Sequence, residues 1–571
     1  MRTKIMKKIG ELAGLLCGLC VACTTYDTPA DIAGGSKDMA GSEDGIVRHV
    51  LWVNIDGARG SIVKEEVEKG NLPVLQQMLA HSKYAWTGLS DDHALLSDNR
   101  GEFSDEDPVT WASMLTGVNS RMHRIKDYSY TPDYTIGYSP VVPNTIVQYL
   151  SNHDPMLRMS CVSPWENLNR YVGMMQSVVT TASDDETVET LVEQLSRGDY
   201  RFTLAGFKSV LDAGKVGGFK ASNTQYVDGL KQVDVGLGRL LAAIDARENI
   251  ANEDWLVCVT SNHGGTEDGR YGGASDEERD IFGIFYYSHY TPFEMKGEIV
   301  WGSRFSNEEW AEAEDSTALY GIGARRQLTM EIKMCNIARD NQSYKGDNWT
   351  RYIGKDNWGL HRQRENVKIY IQGNKVLEEG MTTFNDARWH SFYVGMGPIS
   401  SNGRMYIMSN DGKRLLYNET QAMGVENDSS ALVLGRSPLD FYTSTIRLWS
   451  TVLGDEYINE CLSLWTLPEN YSQRRHLLAE WRFSPDELKN DSIIPNRVKG
   501  GPDFIFKSKP FFVRLPNNLP DKLASGHLVM ENTLVIPQII YWLCGAGAVA
   551  SNLDGYNFLS AYQTEEQWRD L

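Results

Sequence analysis

Two groups of polar residues follow directly on apolar runs, and their side chains are of the kinds that bind cations and transfer protons. Asp56 follows a nearly continuous apolar run at 46–55, and Asn262 and His263 follow a second run at 255–260. Carboxylate oxygens and imidazole nitrogens bind divalent cations and act as general acids and bases. Each feature alone has an ordinary alternative, since an Asp-Gly pair is often a turn and a lone histidine is usually a hydrogen-bonded polar residue.

The apolar runs before these residues are typical of parallel strands buried on both faces. Helical patterns cover 62–79 and 187–195, and a longer one spaces apolar residues three to four apart from Tyr226 to Ile244. Strands that alternate with helices predict an α/β fold with a mostly parallel sheet flanked by helices. Active sites of open α/β sheets lie at the carboxyl ends of the strands, so the sequence predicts a site where these two runs end.

The pattern changes after about residue 297 to short strand-like runs separated by turn residues. They cover 328–334, 367–372, 389–395, 405–408, 431–435 and 444–448. Such spacing indicates an all-β sandwich, whereas helical, globular composition returns near 536–543. We therefore predict an α/β domain at 46–297, an inserted sandwich at 298–515, and a C-terminal part at 516–571 that completes the α/β domain.

Five motifs occur in a fixed order along the predicted α/β domain. They are VLWVNIDG at 50–57, WASMLTG at 111–117, the helix with Tyr226 and DVGLG at 234–238, TSNHGG at 260–265, and the closing PQIIYWL with NLDG at 537–543 and 552–555. Together they resemble the alkaline-phosphatase superfamily, and especially its phosphodiesterase and nucleotide-pyrophosphatase branch. In that family two divalent cations clamp the attacking and leaving oxygens of a phosphoryl group.

Residue by residue, the resemblance implies an incomplete metal site. Asp56 and His263 match ligands of the first cation, but Asn262 stands where the family has an aspartate and contributes less to holding a cation. For the second cation, Asp212 matches a ligand, while Lys215 and Tyr271 replace histidines. A protonated ammonium does not ligate zinc, so we expect at most one divalent metal, zinc before others, and no second metal site. The Lys215 ammonium is a hypothetical substitute for that cation's charge.

The position of the nucleophile has two interpretations. Counted back from Thr116-Gly117, the family's nucleophile falls on Asp107, whereas Thr110 lies three residues later and matches only if the loop has slipped. Both residues remain candidates for the catalytic position.

The predicted sandwich carries motifs of its own. ARWHSFYV at 387–394, TIRLWSTVLGDEYI at 445–458 and LAEWRF at 478–483 resemble signatures of laminin-G-like, concanavalin-type sandwiches. Such domains often bind glycans through exposed aromatic rings, and this stretch is rich in Trp and Tyr. For any single aromatic residue, a place in the sandwich core is the simpler interpretation.

Charge and the N-terminus limit the partners and the location. The formal net charge of −19 argues against nucleic acid, which is bound through an excess of Lys and Arg. Basic residues followed by an apolar run predict a signal peptide at 1–22, and CVAC at 20–23 resembles a lipoprotein cleavage box with Cys23 as the lipid-bearing residue. A flexible tether follows at 23–45. We therefore expect an anchor in the bacterial cell envelope, in the outer membrane, with membrane contact only through the lipid.

The five cysteines after Cys23 are Cys161, Cys258, Cys335, Cys461 and Cys544, and none forms a closely spaced pair. An odd number of cysteines in apolar surroundings indicates buried thiols.

Three functions fit the sequence. In the first, the protein binds a glycan or a phosphorylated small molecule, and catalysis is lost or much altered. In the second, it is an active metal-dependent phosphodiesterase or related ester hydrolase, in which Thr110 or a neighbouring group attacks phosphorus and Asp56, His263 and Asn262 hold one cation. In the third, it is a surface scaffold within a multi-protein uptake complex.

Overall fold

A computed structural model of the protein describes residues 45–91, 107–133, 142–323, 326–336, 350–363, 366–372, 374–380, 388–399, 403–419, 426–519, 527–549 and 552–562. The predicted signal peptide, Cys23 and all of the tether except Gly45 lie outside these ranges. Within them, no helix combines the length and apolar character needed to cross a membrane.

The first part of the chain builds one mixed sheet. Its strands, with the short β3 that lies outside this sheet, are β1 (Val47–Ile55), β2 (Ser82–Ala85), β3 (Gly88–Leu89), β4 (Met159–Ser163), β5 (Ser177–Thr180), β6 (Phe202–Phe207), β7 (Glu253–Thr260), β8 (Gly283–Tyr286) and β9 (Phe293–Glu294). The sheet order is β5-β4-β6-β1-β7-β8-β2-β9. The five strands from β5 to β7 run parallel, as predicted, whereas β8 is antiparallel to both of its neighbours.

Helices connect these strands. They are α1 (Gly60–Glu68), α2 (Pro73–Met78), α3 (Pro108–Thr116), α4 (Ser120–His123), α5 (Ile146–His153), α6 (Glu166–Tyr171), α7 (Asp184–Arg197), α8 (Ser209–Gly217) and α9 (Thr224–Asp245). The helical pattern predicted at 62–79 is divided in the structure into two helices, α1 and α2. Gly70 there has a φ of 76°, and Pro73 begins the second helix. Glycine commonly follows the end of a helix, and proline commonly occupies the first position of the next one.

The predicted β-rich region forms two antiparallel sheets. Their strands are β10 (Ile299–Phe305), β11 (Trp310–Ala313), β12 (Leu328–Asn336), β13 (Thr350–Gly354), β14 (Trp358–Gln363), β15 (Asn366–Ile371), β16 (Asn374–Gly380), β17 (Trp389–Pro398), β18 (Arg404–Asn410), β19 (Lys413–Glu419), β20 (Leu432–Gly435), β21 (Phe441–Trp449), β22 (Leu477–Arg482), β23 (Ile493–Ile494), β24 (Phe504–Phe506) and β25 (Phe512–Pro516), with helix α10 (Asp455–Cys461). One sheet has the order β19-β18-β17-β12-β21-β10-β25 with β22 beside β21, and the other β16-β15-β14-β13-β20-β11-β24-β23.

The two sheets share one apolar core, as the sequence predicts for a sandwich. Ile332 and Ile446 from the first sheet join Leu360 and Ile369 from the second in a single buried cluster. Four tryptophans of this region, Trp358, Trp389, Trp449 and Trp481, are at most 2% exposed. For Trp358 and Trp481, which belong to the shared core, the simpler interpretation is confirmed, whereas Trp389 and Trp449 are buried in two separate apolar clusters.

The last described part of the chain returns to the mixed sheet. It contains β26 (Met530–Glu531), which pairs with β3, and helix α11 (Val535–Cys544). Trp542 of α11 donates from Nε1 to the carbonyl of His49 in β1, at 3.0 Å. Where the chain passes into and out of the sandwich, Ile299 of β10 pairs with Pro516 of β25.

Candidate functional site

The carboxyl ends of β1 and β7 bring the predicted site residues together. The two strands are parallel, and Asn54 lies opposite Thr260, so Asp56 and Asn262 emerge side by side two residues later. Asn262 Nδ2 donates to Asp56 Oδ1 at 2.8 Å, and His263 Nε2 lies 3.0 Å from the same oxygen. All three residues are buried. The structure thus places Asp56, Asn262 and His263 in direct contact.

A chain of hydrogen bonds fixes the orientation of the Asn262 amide. Trp52 Nε1 donates to Thr260 Oγ1, and that hydroxyl donates to Asn54 Oδ1 at 3.1 Å. Asn54 Nδ2 therefore faces Asn262 Oδ1, at 3.3 Å. Because the amide oxygen accepts from Asn54, the amide nitrogen faces Asp56. Asn262 is then a hydrogen-bond donor at the site, whereas a metal ligand would need its oxygen there.

His263 is an imidazolium in this arrangement. Its Nδ1 lies 2.6 Å from the carbonyl oxygen of Gly264, and its Nε2 faces the Asp56 carboxylate, so both ring nitrogens must donate. Burial tends to lower the pKa of His263, but the hydrogen bond that its Nε2 donates to Asp56 and the charges of Asp107 and Asp56 raise it to about 9. The ring also stacks on Tyr271, with centroids 4.9 Å apart.

Asp107 caps the N-terminus of α3. Its Oδ1 accepts from the backbone N–H of Thr110 at 3.1 Å, a hydrogen bond typical of a helix N-cap. Burial raises the pKa of Asp107 to about 6, with a further increase from Asp56, while His263 and Thr110 oppose the change. Thr110 is 1% exposed, and its hydroxyl lies 3.5 Å from the backbone oxygen of Asp107. Asp107 is therefore within electrostatic reach of Asp56 and His263, while the Thr110 hydroxyl faces its own helix.

Two of the three residues predicted around the second cation, Asp212 and Lys215, lie at the surface of α8, whereas Tyr271 is buried outside that helix. Asp212 is exposed and pairs with Lys208 one turn earlier. Lys215 is also exposed, and its Nζ lies 5.5 Å from the centroid of the Tyr271 ring. Tyr271 thus touches both Lys215 and His263, which links the surface cation to the buried imidazolium.

These side chains do not fit a two-cation centre. Among the described residues, no group of three or more His, Cys, Asp and Glu is arranged to hold a metal ion. The donor atoms that a first cation would use, Asp56 Oδ1 and His263 Nε2, are hydrogen-bonded to each other. A cation would have to displace the His263 proton, which Asp56 and Asp107 stabilise.

Aromatic side chains that the sequence analysis missed lie beside this cluster. Tyr128, Tyr130, Trp165 and Tyr171 form what we call the aromatic wall. Tyr128 lies 6.0 Å from both Tyr130 and Trp165, and Tyr130 stacks on Tyr171 at 3.6 Å. The hydroxyl of Tyr128 accepts from the backbone N–H of Asp107 at 3.3 Å, which joins the wall to the site. Only Trp165 had a signal in the sequence, because it follows the apolar strand β4.

Lys208 adds a positive charge to the aromatic wall. Its Nζ lies 5.2 Å from the Trp165 ring centroid, and the residue follows β6 directly. Since β4, β6, β1 and β7 are parallel neighbours, Trp165, Lys208, Asp56 and His263 all lie at one edge of the sheet. That edge therefore offers aromatic faces, a lysine and an ionised pair to a ligand.

A second polar cluster, around Ser113 and His123, resembles a nucleophile with its base but has the wrong tautomer. Ser113 Oγ lies 2.9 Å from His123 Nε2 and donates to Asp91 Oδ2 at 2.7 Å. The backbone N–H of Ile125 donates to His123 Nδ1, and burial lowers the pKa of His123 to about 4. The neutral ring therefore carries its proton on Nε2 and donates it to Ser113. It holds the hydroxyl in place and does not act as its base.

Comparisons with known proteins give distant similarities. No family model matches the chain, and no curated protein matches it. Among solved structures, it is similar to a 2-O GAG sulfatase, with 10% identity over 42% of this chain and a TM-score of 0.29. That match spans 64% of the sulfatase, which is less than two thirds of its length. It is also similar to a protein in the alkaline phosphatase superfamily from Vibrio parahaemolyticus, with 11% identity over 61% of this chain and 79% of that one, and a TM-score of 0.33. At these TM-scores the likeness adds no argument to the geometry.

Proposed function

We propose that the protein is an envelope lipoprotein with an alkaline-phosphatase-like α/β domain and a laminin-G-like sandwich, and that it binds a glycan or a phosphorylated ligand in place of two-cation hydrolysis. The observation that carries this proposal is the contact between His263 Nε2 and Asp56 Oδ1 at 3.0 Å. Two residues that would bind a cation instead form a buried ion pair. The imidazolium supplies the positive charge that the cation would bring.

The surroundings of the ion pair support binding. The aromatic wall offers ring faces on which a sugar or a planar group stacks, and the Lys208 ammonium beside Trp165, which also pairs with Asp212, has further N–H donors for an anionic group. With Asp56 and Asp107 both ionised, the single charge of His263 does not balance two carboxylates. An anionic group is therefore held by Lys208 more favourably than by the ion pair.

The second candidate function is a metal-dependent phosphodiesterase or ester hydrolase. One observation favours it, since Asp107, at the family's nucleophile position, lies in the same electrostatic field as Asp56 and His263. In that version Asp56 and a deprotonated His263 would hold one cation, which would supply positive charge for the developing oxyanion.

Metal content separates the two candidates. The soluble part lacking residues 1–23 is equilibrated with zinc, manganese and magnesium, and its metal is measured by elemental mass spectrometry. We expect no stoichiometric metal. Near-stoichiometric metal that is lost in Asp56→Ala but kept in Asp212→Ala, an exposed aspartate, would establish the hydrolase and justify a screen of phosphodiesters.

Ligand binding at the sheet edge is tested through the aromatic wall. An array of glycans with their phosphorylated forms is applied to wild type, Trp165→Ala and Lys208→Ala. We expect saturable binding without hydrolysis, weakened about tenfold by either change, in keeping with the loss of one stacking or charged contact. Binding to a protein partner alone would favour the scaffold.

The anchor is tested at Cys23. Cells that express wild type or Cys23→Ser are separated into membrane and soluble fractions. We expect wild type in the outer-membrane fraction and Cys23→Ser in the soluble fraction. A Cys20→Ser change is the matched control, because the lipid is expected on Cys23 alone.

A further inference from the structure

A cleft lies between the sandwich and the mixed sheet with its helices, which we call the mixed-sheet unit, and Asp56, Asn262 and His263 are not part of its lining. It has a volume of about 70 Å³, which is room for several waters or for one end of a polar ligand. Three parts of the chain line it. Asp91 and Asn119 come from the first part, Arg388 and Trp389 from the start of β17, and Glu531, with other residues, from the C-terminal part.

Two side chains that line the cleft have a buried polar atom without a hydrogen-bond partner among the described residues. Trp389 is 1% exposed, and its Nε1 has no hydrogen-bond partner among the described residues. Asn119 Oδ1 is likewise buried without a partner in the described part of the chain. A buried donor and a buried acceptor that line one cleft indicate a ligand, or water in its place, because unpaired polar atoms are costly.

The charged groups of the cleft are close to balanced, which favours a neutral ligand, because burial raises the pKa of Glu531 to about 7. Three carboxyl groups, those of Asp91, Glu531 and Asp554, line it with two guanidinium groups. Arg279 already donates from Nε to the carbonyl of Ser90 and from Nη1 to that of Arg514. Asp91 already accepts hydrogen bonds from Ser113 and Ser120, and Asp554 accepts from Asn119, so the acceptor for a neutral hydroxyl group comes from Glu531.

An aromatic ring completes the cleft. Tyr556 lines it, partly exposed, and the Arg388 guanidinium lies 5.2 Å from its ring centroid. A ring face next to carboxyl and amide groups is the combination that stacks on a sugar while binding its hydroxyls. Within the described residues, no set of carboxylates in this cleft is arranged to hold a metal ion instead.

The cleft also touches the site at the sheet edge. Asn532 lines the cleft, and its Nδ2 donates to the backbone oxygen of Asn262 at 2.9 Å. Its Oδ1 accepts from the backbone N–H of Asp91. One side chain therefore separates the cleft from the Asp56, Asn262 and His263 cluster.

We propose that this cleft is a binding site for the end of a neutral glycan, held by the sandwich and the mixed-sheet unit together. Tyr556 stacks on the sugar ring, and Glu531, Asn119 and the Trp389 indole bind its hydroxyls. The proposal goes beyond the function proposed for the sheet edge and does not depend on it, because the cleft has its own donors, acceptors and ring.

The test applies full-length protein to an array of neutral oligosaccharides that also carries their sulfated and phosphorylated forms. Affinities of the best neutral binder are then measured by calorimetry for Tyr556→Ala and Glu531→Gln. We expect at least about a tenfold loss of affinity in each variant. Trp165→Ala, in the aromatic wall, is expected to stay within about twofold of wild type, which distinguishes this site from the sheet edge.

Matched controls exist for both changes. Tyr200 is partly exposed with the Arg158 guanidinium 4.7 Å from its ring centroid, as Tyr556 is with Arg388. Glu294 is partly buried and pairs with Lys296 at 3.4 Å. Tyr200→Ala and Glu294→Gln are expected to bind like wild type.

Three results would overturn the proposal: binding of sulfated or phosphorylated forms only, no neutral binder at millimolar concentration, or unchanged affinity in both cleft variants. If a variant fails to fold, hydrogen exchange of wild type replaces it. The neutral oligosaccharide is then expected to protect residues 530–534 and 553–557, and absence of that protection would equally reject the site.

Discussion

The two antiparallel sheets and the mixed sheet both bury charged side chains, but they satisfy them differently. In the sandwich, Arg447 contacts Glu331 at 2.9 Å and Glu480 at 3.1 Å, and Lys333 contacts Glu331 at 3.1 Å. Arg447 also donates to the backbone oxygens of Leu464 and Trp465. At the edge of the mixed sheet, Asp56, His263 and Asp107 combine two carboxyl groups with one imidazolium.

The pKa values record the same difference. In the sandwich, burial tends to raise the pKa of Glu331, but Arg447 and Lys333 outweigh it and the pKa falls, so the carboxylate stays ionised. At the sheet edge, burial wins and the pKa of Asp107 rises to about 6. A closed set of charges stabilises a structure, whereas a set with one charge in excess keeps capacity for a ligand or a proton.

The largest expected effect on stability comes from removing Arg447 from the balanced set of buried charges in the sandwich. Arg447→Met leaves Glu331 and Glu480 buried without their main partner, which is expected to lower the free energy of unfolding by about 3–5 kcal/mol. Urea unfolding measures it. Arg304→Met removes the partly exposed pair with Asp440 and is the control, with an expected loss of about 1 kcal/mol, well below that of Arg447→Met. Equal losses in the two variants would erase the distinction between the regions.

The next largest effect is the pH dependence of stability that is expected from the buried, neutral His123. The pKa of His123 is lowered to about 4 by burial, against 6.5 in an unfolded chain, so the unfolded state takes up the proton first as the pH falls. Its contribution to stability is present above pH 6.5 and is lost as the pH drops through about 4, a change of about 3 kcal/mol.

This pH dependence is measured from urea unfolding between pH 7 and 4 in wild type and His123→Asn. The variant is expected to show the smaller decline. His153→Asn, at an exposed position in α5, is the control and should follow wild type. A parallel decline in His123→Asn would assign the acid sensitivity to other groups.

A smaller effect is expected from separating the ion pair at the sheet edge. Asp56→Asn removes the carboxylate that holds the proton on His263, so the pKa of His263 is expected to fall from about 9 towards its ordinary range. The histidine signals in an NMR titration with a chelator present measure this. An unchanged titration would mean that Asp107 alone sustains the imidazolium.

The smallest effect is expected at Lys215. Because Lys215 is exposed and contacts the Tyr271 ring, Lys215→Ala is expected to change stability by no more than about 0.5 kcal/mol. The informative measurements on Lys215→Ala are ligand binding, on the glycan array, and metal content, by elemental mass spectrometry. Metal uptake that improves while ligand binding is kept would reject the role of Lys215 as a substitute for a cation.

The sequence predicted the parts of the site that lie at the ends of strands. Asp56 and His263 meet because two apolar runs are parallel neighbours, which their composition indicated. The hydrogen bond between Asn532 and Asn262 joins residues 270 positions apart, and no local pattern encodes such a contact. The tautomer of His123 depends on the backbone N–H of Ile125, and it likewise could not be predicted from the sequence. The break between α1 and α2 was readable in Gly70 and Pro73, but the apolar spacing across it favoured one helix.

The pairing of Ile299 with Pro516 has a consequence for how this chain can be altered. Residues paired across neighbouring strands lie about 5 Å apart, so the chain leaves the mixed-sheet unit and returns to it at almost one point. Such an arrangement makes the sandwich exchangeable, since a short glycine-rich link or another compact module with adjacent ends bridges the same gap. Gene shuffling, natural or in the laboratory, can therefore replace the sandwich with another module while leaving the sheet edge in place.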